Sequence, residues 1–127
     1  TRDIDAVFEP KQAIYLAAAE LAAEEGLPEG WLNDAVKGFL AGPDAAATTV
    51  LELPGLRVAA ASPRVLLAMK VLAHRAGEDD ADVVLLARHL GLRSAVEVLS
   101  VAADVYGDRL EPAARFFVEQ LFPDDPA

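Results

Sequence analysis

Two carboxylates stand close together near the start of the chain. Asp3 and Asp5 are two positions apart in a segment, residues 3–8, where alternating side chains are typical of a β-strand. Side chains at positions i and i+2 of a strand share one face, so the two carboxylates would lie side by side and repel each other. A hard divalent cation such as Mg²⁺ prefers oxygen ligands and would offset this repulsion. The alternative is a half-buried strand whose outer face is simply acidic.

A second group of charges lies in the C-terminal half. Lys70 interrupts an otherwise apolar predicted helix, and Arg75 lies near the predicted end of that helix. Asp79 and Asp82 open the next predicted helix, where the helix dipole alone favours acidic residues. Lys70 is therefore either a solvated position on a helix or a cation that faces a triphosphate or a pair of carboxylates in a dry site.

The only tryptophan, Trp31, is followed by Leu32, Asn33 and Asp34. A core anchor followed by the cap of a short helix accounts for this segment, and contact between Asn33 and a substrate is the alternative. Other chemistries lack their residues: the chain has no cysteine, no P-loop, no G-x-G-x-x-G, no G-x-S-x-G and no H-E-x-x-H motif. Disulfides and these classes of active site are thereby excluded.

The elements that must position these residues follow from hydrophobic spacing and from glycine and proline. The spacing predicts one strand, a long helix, a short helix, a hairpin and four further helices. Their predicted ranges are 3–8, 11–25, 34–39, 48–53 with 56–60, 63–75, 80–90, 95–106 and 111–121. This order predicts an α+β fold with a small mixed sheet in residues 1–61 and a helical part in residues 62–122.

Length and charge set further limits. The 127 residues, 54% of them hydrophobic, predict a single domain. The net charge of −10 disfavours plain nucleic-acid binding unless the few cations cluster. No apolar run reaches the roughly 18 residues of a membrane span, and no signal peptide is visible, so we expect a cytoplasmic protein without membrane contact. Because the chain begins without Met inside a predicted strand, we also expect an N-terminal truncation.

Three segments together resemble one family. TRDIDAVF at residues 1–8 resembles the R-x-T-x-D-I-D strand of the nucleotidyltransferase superfamily related to DNA polymerase β. SPRVLLAMKVLAHR at residues 62–75, followed by Asp79 and Asp82, resembles the S-P-x-x-L-L-A-x-K-x-x-A-x-R…D-x-x-D signature of its AbiEii-like, MenT-type toxin branch. WLND at residues 31–34 is similar to a segment of such relatives. The family's Gly-Ser element, which precedes the D-x-D strand and grips the triphosphate, is absent from this chain.

The resemblance implies a nucleotidyltransferase-like fold and a Mg²⁺-dependent transfer of NMP from an NTP to a hydroxyl of RNA (tRNA) or protein. Its catalytic residues would be Asp3, Asp5, Lys70 and Asp82, with Asp3 and Asp5 as the metal ligands. Its substrate-binding residues would be Arg2, Arg75 and Asn33, and Asp79 would support the site. The resemblance further implies the toxin of a toxin–antitoxin system with a cognate antitoxin as partner. The alternative is a catalytically inactive interaction module with the same fold, which the acidic surface and the missing Gly-Ser element favour.

Overall fold

The computed structural model describes residues 3–123 and contains helices together with two small two-stranded sheets. The chain folds as two compact units, Thr1–Leu40 and Ala41–Ala127. The predicted α+β class and the helical C-terminal half are confirmed. Among the described residues, the single mixed sheet expected in residues 1–61 is not formed: the strands make one parallel pair and one antiparallel pair, which are separate sheets. The expectation of one domain with an internal boundary at residue 61 stays a prediction. Arg2, a predicted substrate-binding residue, lies outside the described residues.

The first unit is built on a parallel pair of strands. Strand β1 (Ile4–Asp5) pairs with β2 (Leu32–Asn33), and helix α1 (Lys11–Glu25) connects them. Parallel strands need such a crossover because a tight turn reverses the chain direction. Gly26 ends α1 in the left-handed conformation, with φ 68°, where glycine carries no steric cost.

Two details of this unit differ from the predictions. The strand predicted over residues 3–8 is limited to Ile4–Asp5, since its partner strand is only two residues long. Leu32 was expected to lead directly into a short helix, but it belongs to β2, and a 3₁₀ helix follows at Ala35–Phe39. Pairing with β1, which is distant in sequence, explains the extra strand.

The second unit begins with an antiparallel hairpin, as predicted. Strands β3 (Thr48–Leu53) and β4 (Leu56–Ala60) pair around a turn at Gly55, whose φ is 82°. All of the hairpin residues are exposed, including apolar ones on both strands. The largest of these side chains are Val50, Leu51, Leu53, Leu56 and Val58.

Four helices complete the second unit. They are α2 (Pro63–Ala73), α3 (Asp80–His89), α4 (Ala95–Tyr106) and α5 (Pro112–Leu121), with a 3₁₀ turn at Gly107–Arg109. Serine side chains cap the starts of α2 and α4: the Ser62 hydroxyl accepts the Val65 N–H at 3.3 Å, and the Ser94 hydroxyl accepts the Glu97 N–H at 3.2 Å. Helix α2 ends at Ala73, earlier than predicted, because His74 turns into the left-handed region with φ 36°.

The hydrophobic core lies among these four helices. Helix α2 packs against α3, α4 and α5. The largest apolar side chains that are fully buried come from all four helices: Leu67, Val71, Val83, Val98 and Val118. Each contributes roughly 1.5–3 kcal/mol to folding, so this core holds α2 and α3 in a fixed relation. Within residues 3–123 no helix is long and apolar enough to cross a membrane.

Candidate functional site

The predicted acid pair lies at the parallel strands of the first unit. The Ile4 N–H donates to the Trp31 carbonyl at 2.6 Å, and the Ala6 N–H donates to the Asn33 carbonyl at 2.9 Å. These bonds fix Asp5 in register with Asn33, so their side chains share one face of the strand pair. Asp3 and Asp5 are both exposed. Within residues 3–123 no cation forms an ion pair with either of them.

The carboxylate oxygens near β1 are the type of ligand that Mg²⁺ prefers. The exposed carboxylates of Asp5, in β1, and of Asp3, just before it, offer hard oxygen ligands. Mg²⁺ is usually held by one or two carboxylates together with water and substrate phosphates. No group of three or more His, Asp or Glu side chains that could hold a metal is found in the described part of the chain. Asp3 and Asp5 therefore offer the type of ligand that Mg²⁺ accepts, but they do not by themselves form a closed metal site.

Asn33, predicted to contact substrate, has a local structural role. Its Oδ1 accepts the Ala35 N–H at 3.1 Å, which caps the start of the 3₁₀ helix. The indole N–H of Trp31 donates to the Ala18 carbonyl on α1 at 3.0 Å, so the tryptophan anchors β2 to that helix. Trp31 is half-buried and is not part of the buried core, which differs from the predicted core anchor. The backbone carbonyl of Asn33 accepts a hydrogen bond from β1, and its side-chain amide lies on the same face of the strand pair as the Asp5 side chain.

Asp34, the next residue, gathers two lysines and a tyrosine. Lys11 Nζ and Lys37 Nζ both approach its Oδ2, at 3.0 and 3.5 Å. The Tyr15 hydroxyl donates to its Oδ1 at 2.8 Å. Phe8 packs edge-on against the Tyr15 ring, with the ring centroids 4.9 Å apart, and holds the tyrosine in place. Asp34 is thus the fixed centre of a group in which cations outnumber acids.

These contacts change the pKa values of Asp34, Lys11 and Tyr15. The hydrogen bond from Tyr15, with those from Lys11, lowers the pKa of Asp34 from 3.8 to about 2. The hydrogen bond to Asp34 raises the pKa of Lys11 and also raises the pKa of Tyr15. Around neutral pH the carboxylate and the Lys11 ammonium group are therefore both charged, and the tyrosine keeps its proton.

The second predicted group of charges, Lys70 with its neighbours, is brought together in the helical unit. Lys70 Nζ lies 3.2 Å from Asp79 Oδ1 and 3.2 Å from Asp82 Oδ2. Arg75 donates to Asp79 from Nε, Nη2 and its backbone N–H, at 3.1, 3.1 and 3.2 Å. The Asp79 side chain is only 1% exposed, against 53% for Asp82. Asp79 is thus a buried acid with charged partners, although the sequence suggested an ordinary surface acid at a helix start.

The pKa values in this group reflect a balance between burial and pairing. Burial by itself would lower the pKa of Lys70, but the hydrogen bonds with Asp82 and Asp79 outweigh it and raise the pKa. Burial would likewise raise the pKa of Asp79, but the hydrogen bonds from Arg75 and Lys70 outweigh it and lower the pKa. Both groups are therefore charged at neutral pH.

The structure thus forms two separate sets from the predicted residues. Asp5 and Asn33 lie on the paired strands of the first unit, and Asp3 directly precedes β1. Lys70, Arg75, Asp79 and Asp82 form one ion network at the α2–α3 connection in the second unit. Sequence reasoning missed the residues around Asp34. The Asp34–Lys37 spacing of three was a visible signal, but the approach of Lys11 and Tyr15 depends on the pairing of β1 with β2.

Comparison with known proteins adds no relative. No family model, no curated protein and no solved structure matches the chain.

Proposed function

We propose that this chain is a nucleotidyltransferase-like domain that transfers NMP from an NTP to a hydroxyl group of RNA, such as tRNA, or of a protein. The observation that carries the proposal is the exposed pair Asp3 and Asp5 at the start of the chain: Asp5 lies in β1, in parallel register with Asn33, and Asp3 directly precedes this strand. The resemblance of residues 1–8 and 62–75 to the nucleotidyltransferase superfamily supports the same assignment. A role as the toxin of a toxin–antitoxin system belongs to this proposal.

The transfer is an in-line displacement at phosphorus. The acceptor oxygen forms a bond to the α-phosphorus, the bond from that phosphorus to the bridging oxygen breaks, and pyrophosphate leaves with the electron pair. The hydroxyl proton passes to water. Mg²⁺, bound by Asp3 and Asp5, would neutralise charge on the phosphates. The resemblance implies a phosphate-facing role for Lys70 and a catalytic role for Asp82, whereas in the structure Lys70 is paired with Asp79 and Asp82 inside the helical unit. The proposal therefore rests on Asp3 and Asp5.

Asp5→Asn tests the proposal most directly, since it removes a metal ligand at an exposed position and leaves the backbone pairing intact. We expect Mg²⁺-dependent transfer of label from α-labelled NTPs to fall by about 100-fold or more in the full natural protein, with an unchanged thermal midpoint. Glu24→Gln, an equally exposed acid on α1, is the matched control and retains transfer. Equal transfer by the two variants would remove Asp5 from the site.

A second candidate function is an inactive interaction module. The exposed apolar side chains of the β3–β4 hairpin favour it, because apolar surface on both faces of a two-stranded sheet is typical of a partner-binding element. A cognate antitoxin is a partner of this kind. Calorimetric titration of the full natural protein with NTP and Mg²⁺ separates the two: heat that depends on Mg²⁺ supports the transferase, and its absence supports the module.

A further inference from the structure

Two of the three lysines in the chain meet at a single carboxylate. Lys11 begins helix α1 and Lys37 lies in the 3₁₀ helix, 26 positions later, so only the fold brings them together. Both approach the same atom, Asp34 Oδ2, while the Tyr15 hydroxyl occupies Oδ1. The carboxylate is therefore held from one side, and the two ammonium groups are gathered on the other.

The charges at this point do not cancel. Two lysines against one aspartate leave one unit of positive charge, in a chain whose net charge is −10. The side chains of Lys11 and Lys37 are 51% and 60% exposed, so each ammonium group presents N–H donors to solvent. Neighbouring cations repel each other, and a single acid offsets only one of them. A bound anion would offset the second.

This group lies beside the strand that carries the acid pair. Asp34 directly follows Asn33, and Asn33 is in register with Asp5. All of these residues belong to the first compact unit. The two lysines and the acid pair therefore belong to one unit, and Asp34, which holds the lysines, is the residue after the register partner of Asp5.

We propose that Lys11 and Lys37, gathered by Asp34, form a binding site for the outer phosphates of a nucleoside triphosphate. Lysine suits this role because its ammonium group acts as a compact point charge toward phosphate oxygens. The inference rests on the proposed nucleotidyltransferase function and adds a substrate contact to it. Asp34 is a positioning residue here, because it holds the two lysines and does not itself contact the anion.

Titration with inorganic tripolyphosphate in EDTA tests the site without Mg²⁺ or nucleotide. We expect Lys37→Met and Lys11→Met each to weaken calorimetric binding by about tenfold, and the double variant to lose more. Lys37→Arg keeps the charge and is expected to retain binding. Arg115→Met removes an exposed cation from α5 and is expected to bind like the parent protein. If Lys37→Met and Arg115→Met bind tripolyphosphate alike, the site is wrong.

Two further experiments distinguish the proposed phosphate site from the transferase activity and from RNA binding. Asp5→Asn should lose transfer and keep Mg²⁺-free tripolyphosphate binding. If the parent protein binds tripolyphosphate through Lys11 and Lys37 but shows no Mg²⁺-dependent transfer, the transferase is contradicted and the anion site is not. A short RNA with a 5′-hydroxyl tests the RNA backbone as the source of phosphate. If Lys37→Met weakens RNA binding as much as tripolyphosphate binding, the assignment to a nucleoside triphosphate is overturned.

Discussion

The two ion clusters of this protein have opposite composition. In the first unit one acid, Asp34, is shared by two lysines. In the helical unit one lysine, Lys70, is shared by two acids, and Arg75 supplements it at Asp79. The first cluster has exposed cations around a carboxylate that is 19% exposed. The second has a carboxylate that is 1% exposed and receives its hydrogen bonds from charged side chains and one backbone N–H.

This difference indicates different duties. A buried charge is tolerated only when hydrogen bonds and opposite charges replace its water, so the Asp79 network stabilises the connection between α2 and α3. An exposed cluster adds little to stability because water and salt compete with its ion pairs. Its excess positive charge is instead available to an anion. We therefore expect the Asp79 cluster to be structural and the Asp34 cluster to bind an anion.

Among these changes we expect Asp79→Ala to lower the free energy of unfolding most. This change leaves Lys70 and the Arg75 backbone N–H without their buried acceptor, and we expect a loss of about 3 kcal/mol in the free energy of unfolding. The thermal midpoint should fall by roughly 10 °C. Urea unfolding and thermal unfolding, both followed by circular dichroism, measure the two quantities.

Asp82→Ala provides the control for that experiment. Asp82 also pairs with Lys70, but it is 53% exposed, so we expect a loss below about 1 kcal/mol. Equal losses for the two variants would show that burial does not distinguish these acids.

Acid pH is expected to reduce the stabilisation that Asp79 provides, by less than its removal does. The folded-state pKa of Asp79 lies below its ordinary value, so its stabilising contribution is complete above about pH 4 and is lost as the pH falls through the folded-state pKa. The stability difference between the parent protein and Asp79→Asn should therefore shrink between pH 4 and pH 2. Thermal midpoints across this range check the sign. A difference that widens in acid would contradict the lowered pKa.

The fold was largely predictable from sequence because its signals are local. Serine is typical of helix starts, and glycine of helix ends and turns. In the structure Ser62 and Ser94 begin helices, Gly26 ends one and Gly55 lies in the hairpin turn. The extent of β1 and the existence of β2 were not predictable, since a two-residue parallel pairing leaves no pattern.

The two ion clusters were likewise predictable only as far as their signals are local in sequence. The spacing of Lys70, Arg75, Asp79 and Asp82 along two consecutive helices suggested that they could meet, and they do. The burial of Asp79 was not visible, because acids at a helix start are ordinary on a surface. The Asp34 cluster was missed altogether, because Lys11 reaches it only through the β1–α1–β2 crossover.

The smallest effect is expected from Tyr15→Phe, which removes one hydroxyl from the exposed cluster. The hydrogen bond from Tyr15 is the largest cause of the low pKa of Asp34, so we expect this pKa to rise from about 2 towards 3.8. Carbon-detected NMR of the Asp34 carboxyl group measures the rise. The thermal midpoint at pH 7 should stay within roughly 2 °C of the parent value, because the ion pairs of an exposed cluster contribute little.

The same variant relates the hydroxyl to anion binding. Without the hydrogen bond at Oδ1, the Asp34 carboxylate can rotate and no longer holds Lys11 and Lys37 at one atom. Tripolyphosphate binding should then weaken, by less than in Lys37→Met, because both cations remain. If the pKa of Asp34 rises and tripolyphosphate binding does not change, the lysines do not need a fixed carboxylate, and Asp34 loses its positioning role while the two cations keep theirs.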